Sequence, residues 1–110
     1  MKILHLISGG DVGGAKTHVL TLLRGLMERH SVVLGCFMDG PFIRDAMEMG
    51  IPAKIWAKKN MLCYVGEVAD YVAKEQFDLI HCHGAKGNVM GALLRSRLGL
   101  PVITTVHSDP

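Results

Sequence analysis

Ser8-Gly9-Gly10-Asp11-Val12-Gly13-Gly14-Ala15-Lys16-Thr17 is the stretch on which the reading of this chain turns. Before it, residues 3–7 are apolar except for His5, as expected of a strand covered by helices on both faces. After it, residues 15–29 place Val19, Leu22, Leu23 and Leu26 at helical spacing, with Arg24, Glu28 and Arg29 on the other side. Strand, glycine-rich turn and helix in that order suit an anion. Glycine has no Cβ, so a ligand can approach the main chain closely. The amides of Gly13, Gly14 and Ala15 are expected at the helix N-terminus, where unpaired N–H groups and the positive dipole end favour a phosphate.

Outward from this turn, the alternation of strand and helix continues. Residues 31–37 read as a second buried strand, stopped by Asp39-Gly40-Pro41, and Pro41 opens a short helix that ends at Gly50. Residues 51–56 read as a short third strand, placed at an edge because Pro52 cannot donate to a ladder. A loop with Lys58-Lys59-Asn60 leads to a helix over 65–75 that carries Val65, Val68, Ala69, Val72 and Ala73 on one stripe. A strand over 78–83, a helix over 86–98 with Val89, Met90, Leu93 and Leu94 inward, and a strand over 101–107 complete the pattern. Five apolar strands separated by helices imply right-handed crossovers. The predicted fold is therefore α/β: a Rossmann-like, doubly wound parallel sheet in the order 3-2-1-4-5, in three αβα layers.

The 110 residues suffice for one domain, and 49% hydrophobic with 20% charged residues is the composition of a soluble globular one. A net charge of +2 and 5% aromatic residues without a basic stripe argue against a nucleic-acid partner. Cys36, Cys63 and Cys82 are odd in number and each lies in an apolar run, so buried reduced thiols and a cytoplasmic location are expected. Met1-Lys2 leads directly into the first strand without a secretory leader pattern, and no run reaches the roughly 18 apolar residues of a membrane span.

In a sheet of this order, ligands bind beyond the carboxyl ends of the strands, where the order reverses between strands one and four. Ser8 and the glycine loop follow strand one, His83-Gly84-Ala85-Lys86-Gly87-Asn88 follows strand four, and His107-Ser108-Asp109 follows strand five. These segments are expected to converge on one crevice, with His83, Gly84, Lys86 and Ser108 lining it. Elsewhere the plainer readings hold. His5 is expected as a satisfied core residue and His18 on a helix face. His81 and His83 are expected on opposite faces of their strand, so no metal site is expected. Lys58-Lys59 reads as a solvated loop; with Met61, Leu62 and Tyr64 it has the alternative of resting on a membrane surface or a lipid acceptor.

Three phosphate loops can be compared with the opening stretch. A dinucleotide fingerprint, G-x-G-x-x-G, is not met, since Asp11 and Val12 stand where its second glycine is required. A nucleotide-triphosphatase loop, G-x-x-x-x-G-K-[ST], is nearly met from Gly10, with Ala15 in place of the second glycine. Strand four, however, ends in His81-Cys82-His83 and offers no aspartate for magnesium. The third loop is that of the GT-B glycosyltransferases. Gly13-Gly14-Ala15-Lys16-Thr17-His18-Val19 resembles the G-G-A-E-x-H-x segment of family 4 of that superfamily. Asp78-Leu79-Ile80-His81-Cys82-His83-Gly84 is similar to its D-[VI]-[IV]-H-x-H strand end, and Pro101-Val102-Ile103-Thr104-Thr105-Val106-His107 resembles its P-V-[VI]-x-T-x-H strand. Lys16 is a departure, because the family usually carries glutamate there.

The resemblance implies that residues 1–110 form the amino-terminal, acceptor-side domain of a two-domain enzyme. Such an enzyme moves a sugar from a nucleotide-sugar donor to an acceptor with retention of configuration. It needs no cofactor beyond the donor substrate, and its carboxy-terminal domain, which holds most of the donor, is absent from these residues. By the same resemblance Gly13, Gly14, Ala15 and Lys16 would meet the donor diphosphate, and His107 would be the catalytic-side histidine placed against the donor sugar. The 110 residues alone are expected to be inactive, and strand 102–106, at the sheet edge, to offer a surface for self-association. The alternatives are a phosphate-loop nucleotide-binding protein and a non-catalytic module that binds a partner or an acceptor.

Overall fold

A computed structural model describes residues 1–9 and 14–105. The chain runs β1 (Lys2–Ile7), α1 (Gly14–Leu26), β2 (Ser31–Cys36), α2 (Pro41–Glu48), β3 (Ala53–Ile55), a 3-10 turn (Met61–Tyr64), α3 (Val65–Glu75), β4 (Leu79–His83), α4 (Gly84–Arg95) and β5 (Val102–Thr105). The five strands form one sheet in the order β3-β2-β1-β4-β5, and every pairing is parallel. The predicted order and the α/β class are both observed.

The two faces of the sheet carry two apolar layers. Leu4 and Leu6 of β1, with Ile80 and Cys82 of β4, pack under α3 and α4 through Val68, Val72, Met90 and Leu94. Ile7 of β1 and Val32, Leu34 and Cys36 of β2 pack under α1 and α2 through Val19, Leu23, Phe42 and Ile43. Alternate residues of one strand thus feed opposite layers, which is why residues 3–7 of β1 are apolar except for His5. The layer above β4 is drawn in tightly: a Cβ on Gly91 would lie 2.7 Å from Cys82 Sγ. At the amino ends, Asp78 closes the sheet, its backbone N–H donating to Lys2 O at 2.7 Å and its carboxylate accepting from Lys2 N at 2.8 Å.

Several inward assignments are corrected. Leu20 of α1 is buried and Leu22 is 37% exposed, while on α4 Val89 and Leu93 are 49% and 39% exposed. Each helix lies on a sheet with a stripe narrower than its apolar residues, so the surplus faces out. Cys63, expected buried, is exposed; Cys36 and Cys82 are buried as expected. Burial pushes the Cys82 thiol up to about 11. Among the described residues no helix is long and apolar enough to cross a membrane. At the outer edge, Ile103 of β5 is 47% exposed.

Candidate functional site

The two central strands leave the sheet by the same device. After β1 the chain turns at Gly9, whose φ of 95° is left-handed and where a Cβ would stand 3.0 Å from Met38 O. After β4 it turns at Gly84, with φ of 76°, straight into α4. Ser8 O accepts from Phe37 N at 3.2 Å, which holds the exits of β1 and β2 side by side. Beyond these ends lies a cavity of about 370 Å³ with Ser8, Asn60 and Lys86 as its polar walls. Phe37, Met38, Met61, Leu62 and Val89 supply its apolar walls. Met38, Leu62 and Val89 are each about half exposed, so the rim is apolar.

The turn before α3 is braced from within. Asn60 Oδ1 accepts from Leu62 N at 3.0 Å, and Tyr64 Oη accepts from Lys58 N at 2.6 Å and Lys59 N at 3.0 Å. Tyr64 is only 4% exposed. Its ring therefore belongs to the core and presents no aromatic surface to a membrane; of the apolar members of the group Leu62 is exposed and Met61 half-buried.

Gly14 is the first residue of α1 and Ala15 the second, so their amides belong to the first turn, which has no intrahelical partners. Gly13 lies outside the described residues, as do His107 and Ser108. Lys16 Nζ is 2.6 Å from Asp45 Oδ2 and ties α1 to α2. Of the residues singled out in the sequence, Ser8, Met61, Leu62 and Lys86 line the cavity together, and Gly84 sets the direction of α4 beside it. Phe37, Met38, Asn60 and Val89, which the sequence does not mark as site residues, complete its lining. Phe37 and Met38 directly follow β2, and the rule that ligands lie beyond carboxyl strand ends would have found them.

His83 turns away from this cavity. Its Nε2 is 3.1 Å from His5 Nδ1, its ring centroid is 4.1 Å from that of His81, and its residue is 1% exposed. The expectation that His81 and His83 face opposite ways is corrected: residues two apart on a strand share a face. His5 is in register with His81 on the neighbouring strand and joins them on that face, with ring centroids 5.2 Å apart. His81 Nε2 is 2.6 Å from Thr105 Oγ1 of β5. Burial first, then His83 and His81, hold the His5 pKa down to about 3. His5 is not the satisfied core residue expected, because its buried Nε2 has no hydrogen-bond partner among the described residues.

A second cavity, of about 470 Å³, lies outside β3 between Lys54, Trp56, Glu67 and Tyr71. Two of its three lysines are taken up locally: Lys54 Nζ lies 4.8 Å from the Tyr71 ring centroid, and Lys59 Nζ lies 3.0 Å from Glu67 Oε1.

Comparison with known proteins gives these features a context. No curated protein sequence matches the chain significantly. The structure of Anabaena HepE in complex with UDP and glucose superposes with a TM-score of 0.81 at 24% identity, covering 98% of this chain and 30% of that one. HepE in complex with UDP-glucose gives 0.81 at 25% identity, over 98% of this chain and 29% of that one. A glycosyltransferase from Rickettsia africae ESF-5 gives 0.77 at 16% identity, over 99% and 31%. The chain thus spans about 30% of the length of the HepE chain it matches. The sequence profile of Glycosyltransferase Family 4 matches residues 12–110, and the chain belongs to that family.

Proposed function

We propose that these residues form the acceptor-side domain of a retaining, nucleotide-sugar-dependent glycosyltransferase. A second, donor-holding domain would complete the cleft. The observation that carries the reading is the cavity shared by Ser8, after β1, and Lys86, on α4, beyond the carboxyl ends of the central strands of a family 4 chain. HepE, with its complexes of UDP and of UDP-glucose, supports a nucleotide sugar as donor.

The chemistry follows from charge. As the glycosidic bond to the donor breaks, the nucleoside diphosphate gains negative charge, and donors already aimed at it stabilise the transition state more than the ground state. The amides of Gly13, Gly14 and Ala15 are assigned this role, with Lys16 contributing charge at the same helix end. His107 is assigned to the donor sugar. His83, Gly84, Lys86 and Ser108 are assigned to the acceptor side; His83 acts there through its contact with His5 rather than from the cavity wall. The apolar rim of Met38, Leu62 and Val89 supports an acceptor with an apolar portion, and hence work at a membrane surface. A phosphate-loop nucleotidase is less well supported, because Ala15 stands in place of its second glycine and β4 ends in His81-Cys82-His83 with no aspartate for magnesium.

A transfer assay with uridine, guanosine and adenosine diphosphate sugars tests this. The 110 residues alone should give no turnover, since proximity and charge stabilisation need both walls of the cleft. A longer chain that includes the second domain should turn over, and His107→Ala should abolish that activity. Turnover by the 110 residues, lost in His107→Ala, would show that the second domain is not needed.

A further inference from the structure

We infer that His5, His81 and His83 form a binding site for a borderline divalent transition-metal ion such as Zn²⁺ or Co²⁺, with one ring nitrogen from each histidine as ligand. The three rings come from two adjacent strands of the sheet, β1 and β4, paired in parallel with His5 opposite His81. The ladder fixes their backbones, so the ligands are brought together by the fold itself rather than by a mobile loop. One ligand nitrogen from each lies within 4.8 Å of the others. Tetrahedral Zn–N bonds of about 2.0–2.1 Å place ligand nitrogens about 3.3 Å apart. His5 Nδ1 and His83 Nε2, at 3.1 Å, already have that separation, and small ring rotations bring in His81.

The surroundings favour a cation held by imidazole over a simple buried trio. His5 and His83 are 0% and 1% exposed, so an ion held between them is shielded from water. Burying the His5 and His83 imidazoles costs desolvation that apolar residues at these positions would not carry, and coordination to a shared ion offsets it. Imidazole is the ligand type that suits zinc, cobalt, nickel and copper. Thr105, 2.6 Å from His81 Nε2, supplies the outer contact that orients a ligating ring. The half-buried His81, toward β5, gives the ion its way in. A bound ion would clamp β1 to β4, the two strands whose carboxyl ends carry the Ser8 and Lys86 cavity.

The test is titration of the chelator-treated chain with Co²⁺, followed by visible absorption, and with Zn²⁺, followed by the thermal midpoint. One Co²⁺ per chain, displaced by Zn²⁺, and a midpoint that rises with Zn²⁺ are expected. His81→Gln and His83→Gln should each weaken binding roughly tenfold or more. His30→Gln, outside the cluster, and Cys63→Ser, which removes the exposed thiol, should leave it unchanged. Should the β4 variants fail to fold, the imidazole NMR signals of the unmodified chain decide: of six histidines, three should shift on adding Zn²⁺. No cobalt band and no midpoint shift at millimolar metal would overturn the inference. So would binding that survives His81→Gln, binding lost in Cys63→Ser, or shifts confined to other histidines.

Discussion

Lys16 Nζ and Asp45 Oδ2 are 2.6 Å apart, and this ion pair joins the first turn of α1 to α2. With side chains 23% and 43% exposed, the pair contributes only about 0.2–1 kcal/mol to stability. Its larger effect is on charge beside the α1 amides. Asp45→Asn should lower stability slightly but strengthen binding of UDP or inorganic phosphate, with the gain fading as salt is raised. Calorimetric titration that finds equal affinity in wild type, Asp45→Asn and Lys16→Ala would remove Lys16 from the anion site.

His5 predicts an acid-labile fold. The unfolded chain takes a proton on this residue near its ordinary 6.5, whereas the folded one resists protonation down to about 3. Between those values the unfolded state binds more protons, so stability falls as pH drops, by at most about 1.4 kcal/mol per pH unit. Above 6.5 the residue adds no slope. Urea midpoints with chelator present, from about pH 7.5 down to about pH 4, should decline, and His5→Gln should flatten the profile. A wild-type profile as flat as that of the variant would contradict it.

Gly91→Ala sets helix propensity against packing. Alanine gains roughly 0.5–1 kcal/mol inside a helix. Its methyl would stand 2.7 Å from Cys82 Sγ and 3.2 Å from Val102 Cγ1, and forcing the helix off the sheet costs about 1–3 kcal/mol. Packing wins by this reckoning, so the variant should melt at lower temperature; a rise would mean that α4 moves away freely.

The three cysteines should separate cleanly in a thiol-reagent assay. Cys63 is exposed and should react at once, whereas Cys36 and Cys82 are buried. Burial that lifts Cys82 to about 11 also leaves little thiolate at neutral pH. One thiol should react fast and two only on unfolding; three fast thiols would mean that the core opens readily.

The sheet order is legible because β1, β2 and β4 are covered on both faces and, apart from His5, His81 and His83, carry runs of apolar residues. Pro52 placed the third strand at the edge, and β3 pairs only with β2. Helix faces were less legible: Leu22, Val89 and Leu93 have the right spacing, but spacing does not say how wide a stripe the sheet will cover. The glycine turns point to the carboxyl ends of β1 and β4, and Ser8 and Lys86 meet at the cavity there. Its apolar wall was hidden because Phe37 and Met38 look like the end of a strand. The histidine cluster was missed by an error of period, since alternate residues on a strand share a face.

The central claim is that the anion end of the donor meets the start of α1 and that the adjoining cavity runs between Ser8 and Lys86. Amide NMR of the nitrogen-15 labelled chain titrated with UDP tests it most directly. Binding should be weak, on the order of millimolar, since a few amides on an open surface must offset the cost of immobilising the ligand. The amides of Gly13, Gly14 and Ala15 should shift most, followed by those of Ser8 and Lys86, and the shifts should saturate together. Shifts confined to the Lys54, Trp56 and Tyr71 cavity, or saturable binding that leaves Gly14 and Ala15 unmoved, would contradict it.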